Sequence, residues 1–473
     1  MNPMYLATAM LVCFANDNDA YIPEKWANEG LAILEEKMIM ANLVHRDFES
    51  DIREFGDVVN TRRPAERTIR RRTDNDDYVA KDVSATNVRV PLDQWFYDSF
   101  IIKDGEASKS FQDLVTIHLQ PCMVSIARAI DRTVLGQVHR FLKTPSQRVG
   151  RLGAFGSANA KDFVIEAGEV MDNERAYEEG RKLLVSSNTH SGLLKTDIFI
   201  KANERGDSGS ALEQARVGTI LNFDVMKALN IKNITTTNAD IATGTVTNAL
   251  AAGGSGSQAV TITGYQVNVG EYATVAGNDQ PAHITAATVG GGNTTAVTLN
   301  EANKYATLAA AVITAYKKCD VKGAFDVGHS KEITVDGHTA SKPPQVGQLI
   351  SFGTGASRKT YMVIEATVVT TTETNLLLDR PLDAALADND LAFPGPAGSM
   401  NLAFHRDAIA LVTRPHRTPD ASLGVRAAVA AMNGLGLNVT MQYDSTKGGT
   451  RVNFGILAGV ALLDEKLATL VLG

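Results

Sequence analysis

The stretch from Ser108 to Lys143 constrains this chain most. From Met123 onward apolar residues recur at spacings of three and four: Met123, Ile126, Ala127, Ile130, Val134, Val138 and Phe141. That pattern draws one stripe on a helix of 3.6 residues per turn, so the spacing predicts a long helix buried along one side. Met123, Ile126, Ile130, Val134 and Val138 are its expected core residues. Ser108 or Ser110 suits the N-cap, with Asp113 in the first turn. Pro121 lacks the N–H that the preceding turn needs, and is expected to kink or restart the helix. Arg128, Asp131, Arg132 and Arg140 fall mostly off the stripe and are expected to face solvent or a neighbouring subunit. No other segment offers an obvious helical partner, so the helix is expected to act as a spine along a β-rich body.

The chain's 473 residues allow two or three domains with large cores. With 46 basic and 53 acidic residues the net charge is -7, which argues against a dedicated nucleic-acid binder held by phosphate contacts. Cys13, Cys122 and Cys319 are far apart, without metal-site spacing, and suit a reducing compartment. Met4 to Phe14 has the apolar length of a signal-peptide core, but no Lys or Arg precedes it and Asp17 and Asp19 follow. No stretch has the length needed to span a membrane.

Read in order, residues 1–46 form an N-terminal arm and a helix with Trp26, Leu31, Leu34, Met38 and Leu43 on its apolar face. Residues 47–104 read as a long two-stranded excursion with a charged tip. Arg62, Arg63, Arg67, Arg70, Arg71 and Arg72 lie close together, Asp74, Asp76 and Asp77 follow, and Val83 to Val90 alternates like a strand. Such a hairpin has no core of its own. Because acids follow the arginines directly, these charges are expected to contact another subunit rather than nucleic acid, with a solvated face as the plain alternative. Residues 105–231 hold the spine, helical spacing from Lys161, a strand at Leu183-Leu184-Val185, an apolar and helical Leu193 to Ala202, and a strand over Val217 to Val225.

Composition then changes. Residues 232–398 are rich in Thr, Ala, Gly and Val and poor in charge. Short strands are expected at Ala259–Thr263, Ala296–Leu299, Gln348–Phe352, Tyr361–Val369 and Asn375–Asp379, punctuated by glycine turns. This is an all-β, barrel-like insertion. Residues 399–473 resume the larger domain, with an apolar Asn401 to Arg414, a hairpin of Leu437–Tyr443 with Thr450–Phe454, and a final strand at Leu467–Leu472.

Chemistry-bearing motifs do not assemble. Gly206-Asp207-Ser208-Gly209 copies the surroundings of a serine nucleophile but sits in a loop without its partners. His45-Arg46-Asp47 and His405-Arg406-Asp407 copy a kinase catalytic loop but lack its Asn and any phosphate loop. The nine histidines are scattered. No catalytic, cofactor or metal site is expected.

Several stretches together resemble one family. Leu43-Val44-His45-Arg46-Asp47-Phe48 and Gly56-Asp57-Val58-Val59 resemble the entry to the extended loop of tailed-bacteriophage major capsid (coat) proteins. Arg128-Ala129-Ile130-Asp131 resembles their long helix, and Glu179-Gly180-Arg181 with Leu183-Leu184-Val185 the start of their central domain. Val217-Gly218 with Phe223-Asp224-Val225 is a further match. Phe404 to Leu411, and Tyr443-Asp444 through Arg451-Val452 to Ala461, match best. The family usually places Pro and Gly where this chain has Ala176 and Asn222. The resemblance implies an α+β Hong Kong 97-type capsid fold with N-arm, extended loop, spine helix with peripheral domain, and axial domain, carrying a podovirus-type inserted β domain. It implies no enzyme activity and no cofactor. It implies hexamers and pentamers in an icosahedral shell, assembled in the host cytoplasm on a scaffolding protein, with a portal at one vertex. Packaged double-stranded DNA would be held non-specifically, and the resemblance leaves open a decoration protein. An encapsulin-like compartment and a secreted β-rich adhesin or hydrolase are the alternatives.

Overall fold

A computed structural model describes residues 22–46, 58–63, 69, 71, 86–105, 114–141, 148–153, 155–156, 159–196, 218–419, 424–432 and 435–473. Helix α1 (Pro23–Lys37) begins with proline at its first turn, where the missing N–H costs nothing, and ends on Lys37. A ribbon follows, β1 (Val58–Arg63) paired antiparallel with β2 (Thr86–Pro91) from Val58 opposite Pro91 to Arg63 opposite Thr86. Strand β3 (Gln94–Lys103) leads to the spine.

The spine is helical from Leu114 to Phe141, as a π-helical turn (Val115–Leu119), helix α2 (Gln120–Gly136) and a 3-10 turn (Gln137–Phe141). Pro121 does not break it. The Gln120 N–H bonds to Val115 O, and this wider turn absorbs the proline without ending the helix. The spine also has a helical partner, contrary to expectation. At Gly30 of α1 an added Cβ would lie 3.3 Å from Met123 Sδ and 3.5 Å from Leu119, so glycine permits the close approach.

Strand β4 (Arg148–Gly150), helix α3 (Ala160–Asn173), strand β5 (Arg181–Val185) and helix α4 (Ser187–Leu194) follow. Ser186 caps α4, its hydroxyl accepting from Thr189 N. Helix thus precedes the predicted Leu193–Ala202, of which only residues to 196 are described. The single strand expected over Val217–Val225 is a tight hairpin of β6 (Thr219–Ile220) and β7 (Phe223–Lys227). Its turn puts Leu221 and Asn222 at φ 47° and 67°, and asparagine is the residue after glycine that best tolerates that region.

The insertion closes into two barrels, not one. The first comprises β8 (Ile241–Val246), β9 (Ser257–Ile262), β10 (Tyr272–Val275), β11 (Ala282–Gly290), β12 (Asn293–Leu299) and β13 (Val312–Tyr316). The second comprises β14 (Cys319–Val321), β15 (Ile333–Asp336), β16 (Leu349–Phe352), β17 (Lys359–Val368), β18 (Thr374–Leu378) and β19 (Leu391–Pro394). Each fills its interior with its own apolar cluster, Val260, Ile262, Val297 and Ile313 in the first, Val335, Ile350, Val363 and Leu376 in the second. Entry and exit meet: Ile234 and Gly398 exchange backbone hydrogen bonds of 3.1 and 2.7 Å.

The expected apolar run Asn401–Arg414 is two strands in two different sheets, β20 (Met400–His405) and β21 (Ile409–Arg414), broken by a 3-10 turn at Arg406–Ala408. Strands β22 (Arg426–Met432), β23 (Leu435–Asp444), β24 (Gly449–Leu462) and β25 (Ala468–Leu472) complete the chain. One sheet runs β21-β24-β23-β22 with β3 along β24, and the spine and α1 cover one face of it through Trp26, Met123, Ile130, Leu437 and Phe454. The other is a mixed sheet, β4-β25-β20-β5-β7-β6. Alternate residues of its strands feed two cores. Leu184, Leu402 and Leu470 join the spine, while Leu183, Ala403 and Val471 pack with Phe163 and Met171 of α3.

Candidate assembly surfaces

The five expected spine residues are buried together: Met123, Ile130, Val134 and Val138 at 0% exposure, Ile126 at 2%. Asp131 is a correction. It was expected outside the core, yet is 2% exposed. Its two carboxylate oxygens accept from Ile39 N and Ala41 N, each at 3.0 Å, and Asn230 Nδ2 approaches at 3.4 Å. Asp131 therefore ties the segment after α1 to the spine. Burial raises its pKa above the usual carboxylate value, against those hydrogen bonds. Arg132 also turns inward, donating to Ile364 O of the second barrel at 2.9 Å. Arg128 and Arg140 are exposed.

The ribbon is fastened at its base by its own chain. Val90 and Leu92 are fully buried against Ala410, Val412 and Ala461. Arg62 and Arg63 lie in β1 opposite Asn87 and Thr86. Beyond the paired residues Ile69 is 96% exposed, and Arg71 is exposed too. Arg67, Arg70, Arg72, Asp74, Asp76 and Asp77 lie outside the described residues, as do Met4–Phe14, Ser108, Ser110, Asp113 and Gly206–Gly209.

Two charged seats that the sequence did not reveal hold the barrels to the body. The second barrel meets the spine end at Arg380, whose guanidinium donates to Thr360 O at 2.8 Å, Asp383 Oδ2 at 3.1 Å and Asp379 Oδ2 at 3.2 Å, over the Tyr361 ring. The wholly buried Asp379 accepts from Met362 N at 2.8 Å and lies against Gly136, where an added Cβ would stand 2.5 Å from its Cβ. Burial pushes the carboxyls of Asp379 and of Asp93, at the ribbon's base, up to about 6 against the pull of Arg380. Burial, then Arg380, pushes His139 down to about 3, so the imidazole beside Arg380 is neutral.

The first barrel is seated by Arg148 of β4, which is 1% exposed. It donates to Gln280 Oε1 at 2.7 Å and pairs with Glu301. Lys304 pairs with Glu166 of α3 at 2.6 Å and donates to Arg148 O. Tyr305 donates to the same Glu166 at 2.9 Å. The available signal was weak: an arginine or an aspartate at the edge of an apolar strand reads as a surface residue until its neighbour is known.

His45 of the first His-Arg-Asp tripeptide meets the second at Asp407, while Asp47 lies outside the described residues. His45 Nδ1 lies 3.3 Å and His405 Nδ1 3.6 Å from the carboxylate of Asp407, and the His45 backbone bonds to Ile409 and Leu411. Asp407 thus pins the chain after α1 where β20 gives way to β21. Among the described residues no group of His, Cys, Asp and Glu is arranged to hold a metal ion, and no helix is long and apolar enough to cross a membrane.

No protein-family model and no curated protein matches this chain. Solved structures similar to it include one titled Mycobacterium phage Che8, at 11% identity and TM-score 0.38, covering 92% of this chain and 90% of that one. The capsid structure of the cyanophage P-SCSP1u is similar at 10% identity and TM-score 0.41, over 89% and 84%. The mature capsid of bacteriophage PhiM1 is similar at 10% identity and TM-score 0.38, over 91% and 86%.

Proposed function

We propose that this chain is the major capsid protein of a tailed bacteriophage, a shell-forming subunit of Hong Kong 97-type architecture. In this reading residues 1–46 are the N-terminal arm and helix, 47–104 the extended loop, 105–231 and 399–473 the peripheral and axial domains, and 232–398 the insertion. Copies assemble in the host cytoplasm on a scaffolding protein, with a portal at one vertex, and enclose double-stranded DNA. The protein is structural, without a catalytic role.

The observation that carries the reading is the ribbon. Its base is packed by its own chain, yet Ile69 beyond the paired strands stands 96% exposed and Arg71 is exposed beside it. A monomer gains nothing from baring this isoleucine beyond the paired strands, whereas a neighbouring subunit would cover it. The arginines from Arg62 to Arg72 then meet a neighbour's carboxylates. Each exposed pair contributes under about 1 kcal/mol, summed over many repeats in a shell.

Electron microscopy of the expressed chain, with and without a scaffolding protein, tests this directly: closed shells are expected, and a chain that stays monomeric under both conditions refutes it. Arg70→Glu, Arg71→Glu and Arg72→Glu together should leave the monomer folded and block or misdirect assembly. Normal shells that fail to retain DNA would instead turn the arm toward the packaged genome. Normal shells with normal packaging would reduce the arginines to a solvated face.

A further inference from the structure

The sheet face beneath α1 continues past the start of that helix. Alternate residues of three strands point to this side: Ala428 and Ala430 of β22, Val439 and Met441 of β23, and Val452 and Phe454 of β24 all join the core under α1 and the spine. Trp26, in α1, packs on this face against Phe100 and Phe454, with ring centroids 5.7 and 6.4 Å away. The same alternation brings Arg426, Tyr443 and Thr450 to this face at the sheet's end. Arg426 stands opposite Met441, and Tyr443 opposite Thr450, which stands opposite the buried Ile102. Here the cover is incomplete: Arg426 is exposed, and Tyr443 is 57% exposed.

The uncovered part is a groove. One open cleft of about 480 Å3 is lined by Ile22, Arg426, Met441, Tyr443 and Thr450, among others. A second, of about 600 Å3, shares Ile22 and Arg426 with it and adds Pro23, Glu24 and Ala427. The sheet contributes one charge to this lining, Arg426. Helix α1 does not extend into the groove. Pro23 at its first position disfavours helix in the residue before, and Ile22 is extended at φ -100° and ψ 101°. Ile22 therefore takes the chain off the helix at a point where it already lines both clefts. The residues before it lie outside the described residues. Residues 16–21 read Asn-Asp-Asn-Asp-Ala-Tyr, and Asp17 and Asp19 are the only charges in residues 1–21. Tyr21 directly precedes the N-cap Ile22, the position whose apolar side chain packs on the fourth residue of a helix, here Trp26.

We propose that residues 16–21 of the same chain occupy this groove, with Tyr21 against Trp26 and Asp17 and Asp19 toward Arg426. Chain continuity selects this occupant. Ile22 is already in place, so its neighbours meet the groove at an effective concentration on the order of millimolar. The reach is sufficient: from β22 to β24 is two strand spacings, about 10 Å, and six extended residues span about 20 Å. The charges are complementary, and the N-terminal end of α1 also favours acidic neighbours. The N-cap Ile22 has no side chain to bond the free N–H groups of the first turn. A seated segment completes the cover of the sheet and starts the N-terminal arm from a fixed point. The contact lies within one chain, so it does not depend on the shell-forming reading.

Hydrogen exchange on the full chain, read by mass spectrometry over residues 16–21, tests it. In the parent these amides should exchange at least roughly tenfold more slowly than in a free peptide of the same sequence. Arg426→Glu should remove that protection, as should Asp17→Arg with Asp19→Arg. Exchange across α1 and β23 should stay as in the parent, which shows that the fold is intact. The aspartate variant changes no described residue, so it tests the pairing even where Arg426→Glu disturbs β22. All three substitutions together should restore protection, because the charges are then exchanged rather than lost. Parent amides that exchange at the free-peptide rate overturn the proposal. So does protection that survives the aspartate variant, or that fails to return in the triple variant. Protection found in assembled chains but absent from the dilute monomer would put a neighbour's segment in the groove and overturn the assignment to the same chain.

Discussion

Asp131→Ala isolates the tie between the N-terminal segment and the spine. The carboxylate accepts two backbone N–H groups at 3.0 Å each, both from the segment that follows α1, at a site 2% exposed. A hydrogen bond to a charged acceptor contributes roughly 1.5–3 kcal/mol, and a buried donor left unpaired costs about 1–3 kcal/mol. The buried carboxylate's own desolvation, visible in its raised pKa, offsets part of that. The net loss expected on Asp131→Ala is therefore about 3–5 kcal/mol, and about 2 kcal/mol for Asp131→Asn, which keeps one acceptor oxygen. Trp26 reports the seat of α1 directly, since it is 0% exposed while the only other tryptophan, Trp95, is 49% exposed. Urea titration followed by tryptophan emission should show the alanine variant losing the buried Trp26 signal at a lower midpoint than the asparagine variant, and that variant before the parent. An alanine variant within about 0.5 kcal/mol of the parent would refute the assignment of Asp131 as the tie.

Gly136→Ala sets helix propensity against packing: the gain of about 1 kcal/mol from removing a helix glycine should be outweighed by overlap with Asp379, 2.5 Å away, and a lowered melting temperature checks the sign. Asp379 supplies a pH dependence. Its folded value of about 6 stands above the ordinary 3.8, so its favourable contribution is complete below about pH 4 and is lost as pH rises through 6. The melting temperature of Asp379→Asn should therefore fall less than the parent's between pH 4.5 and 7.5, and parallel curves would contradict this. The isolated fragment 232–399 should unfold cooperatively by calorimetry, because its ends are hydrogen-bonded and each barrel has its own core. It should melt below the intact chain, having lost the Arg148 seat and bared Leu349 and Met362.

What the sequence determined by itself is what depends on near neighbours. The apolar spacing from Met123 to Phe141 produced a helix with that stripe inward, because a 3.6-residue period leaves one face to bury. Alternation and turn residues produced the β23–β24 hairpin, whose register closes at Asp444 opposite Gly449. Local pattern also carried the core of β5 and the strand at β25. Tertiary structure decided everything that depends on which surfaces meet. An apolar run such as Asn401–Arg414 reads the same in one sheet or two, and only the break at Ala408, held by Leu463 and Asp464 N–H groups, sends β20 and β21 to different sheets. Strand pairing at long range likewise made two barrels of a stretch that local pattern read as one barrel-like unit. The charged residues were least legible of all. Asp131, Arg148, Asp379 and Arg380 carry no local mark that separates them from surface charges. Whether a charge is solvated or buried depends on a partner brought from far along the chain, as Arg148 is by Gln280 and Glu301, and that partner is chosen by the fold.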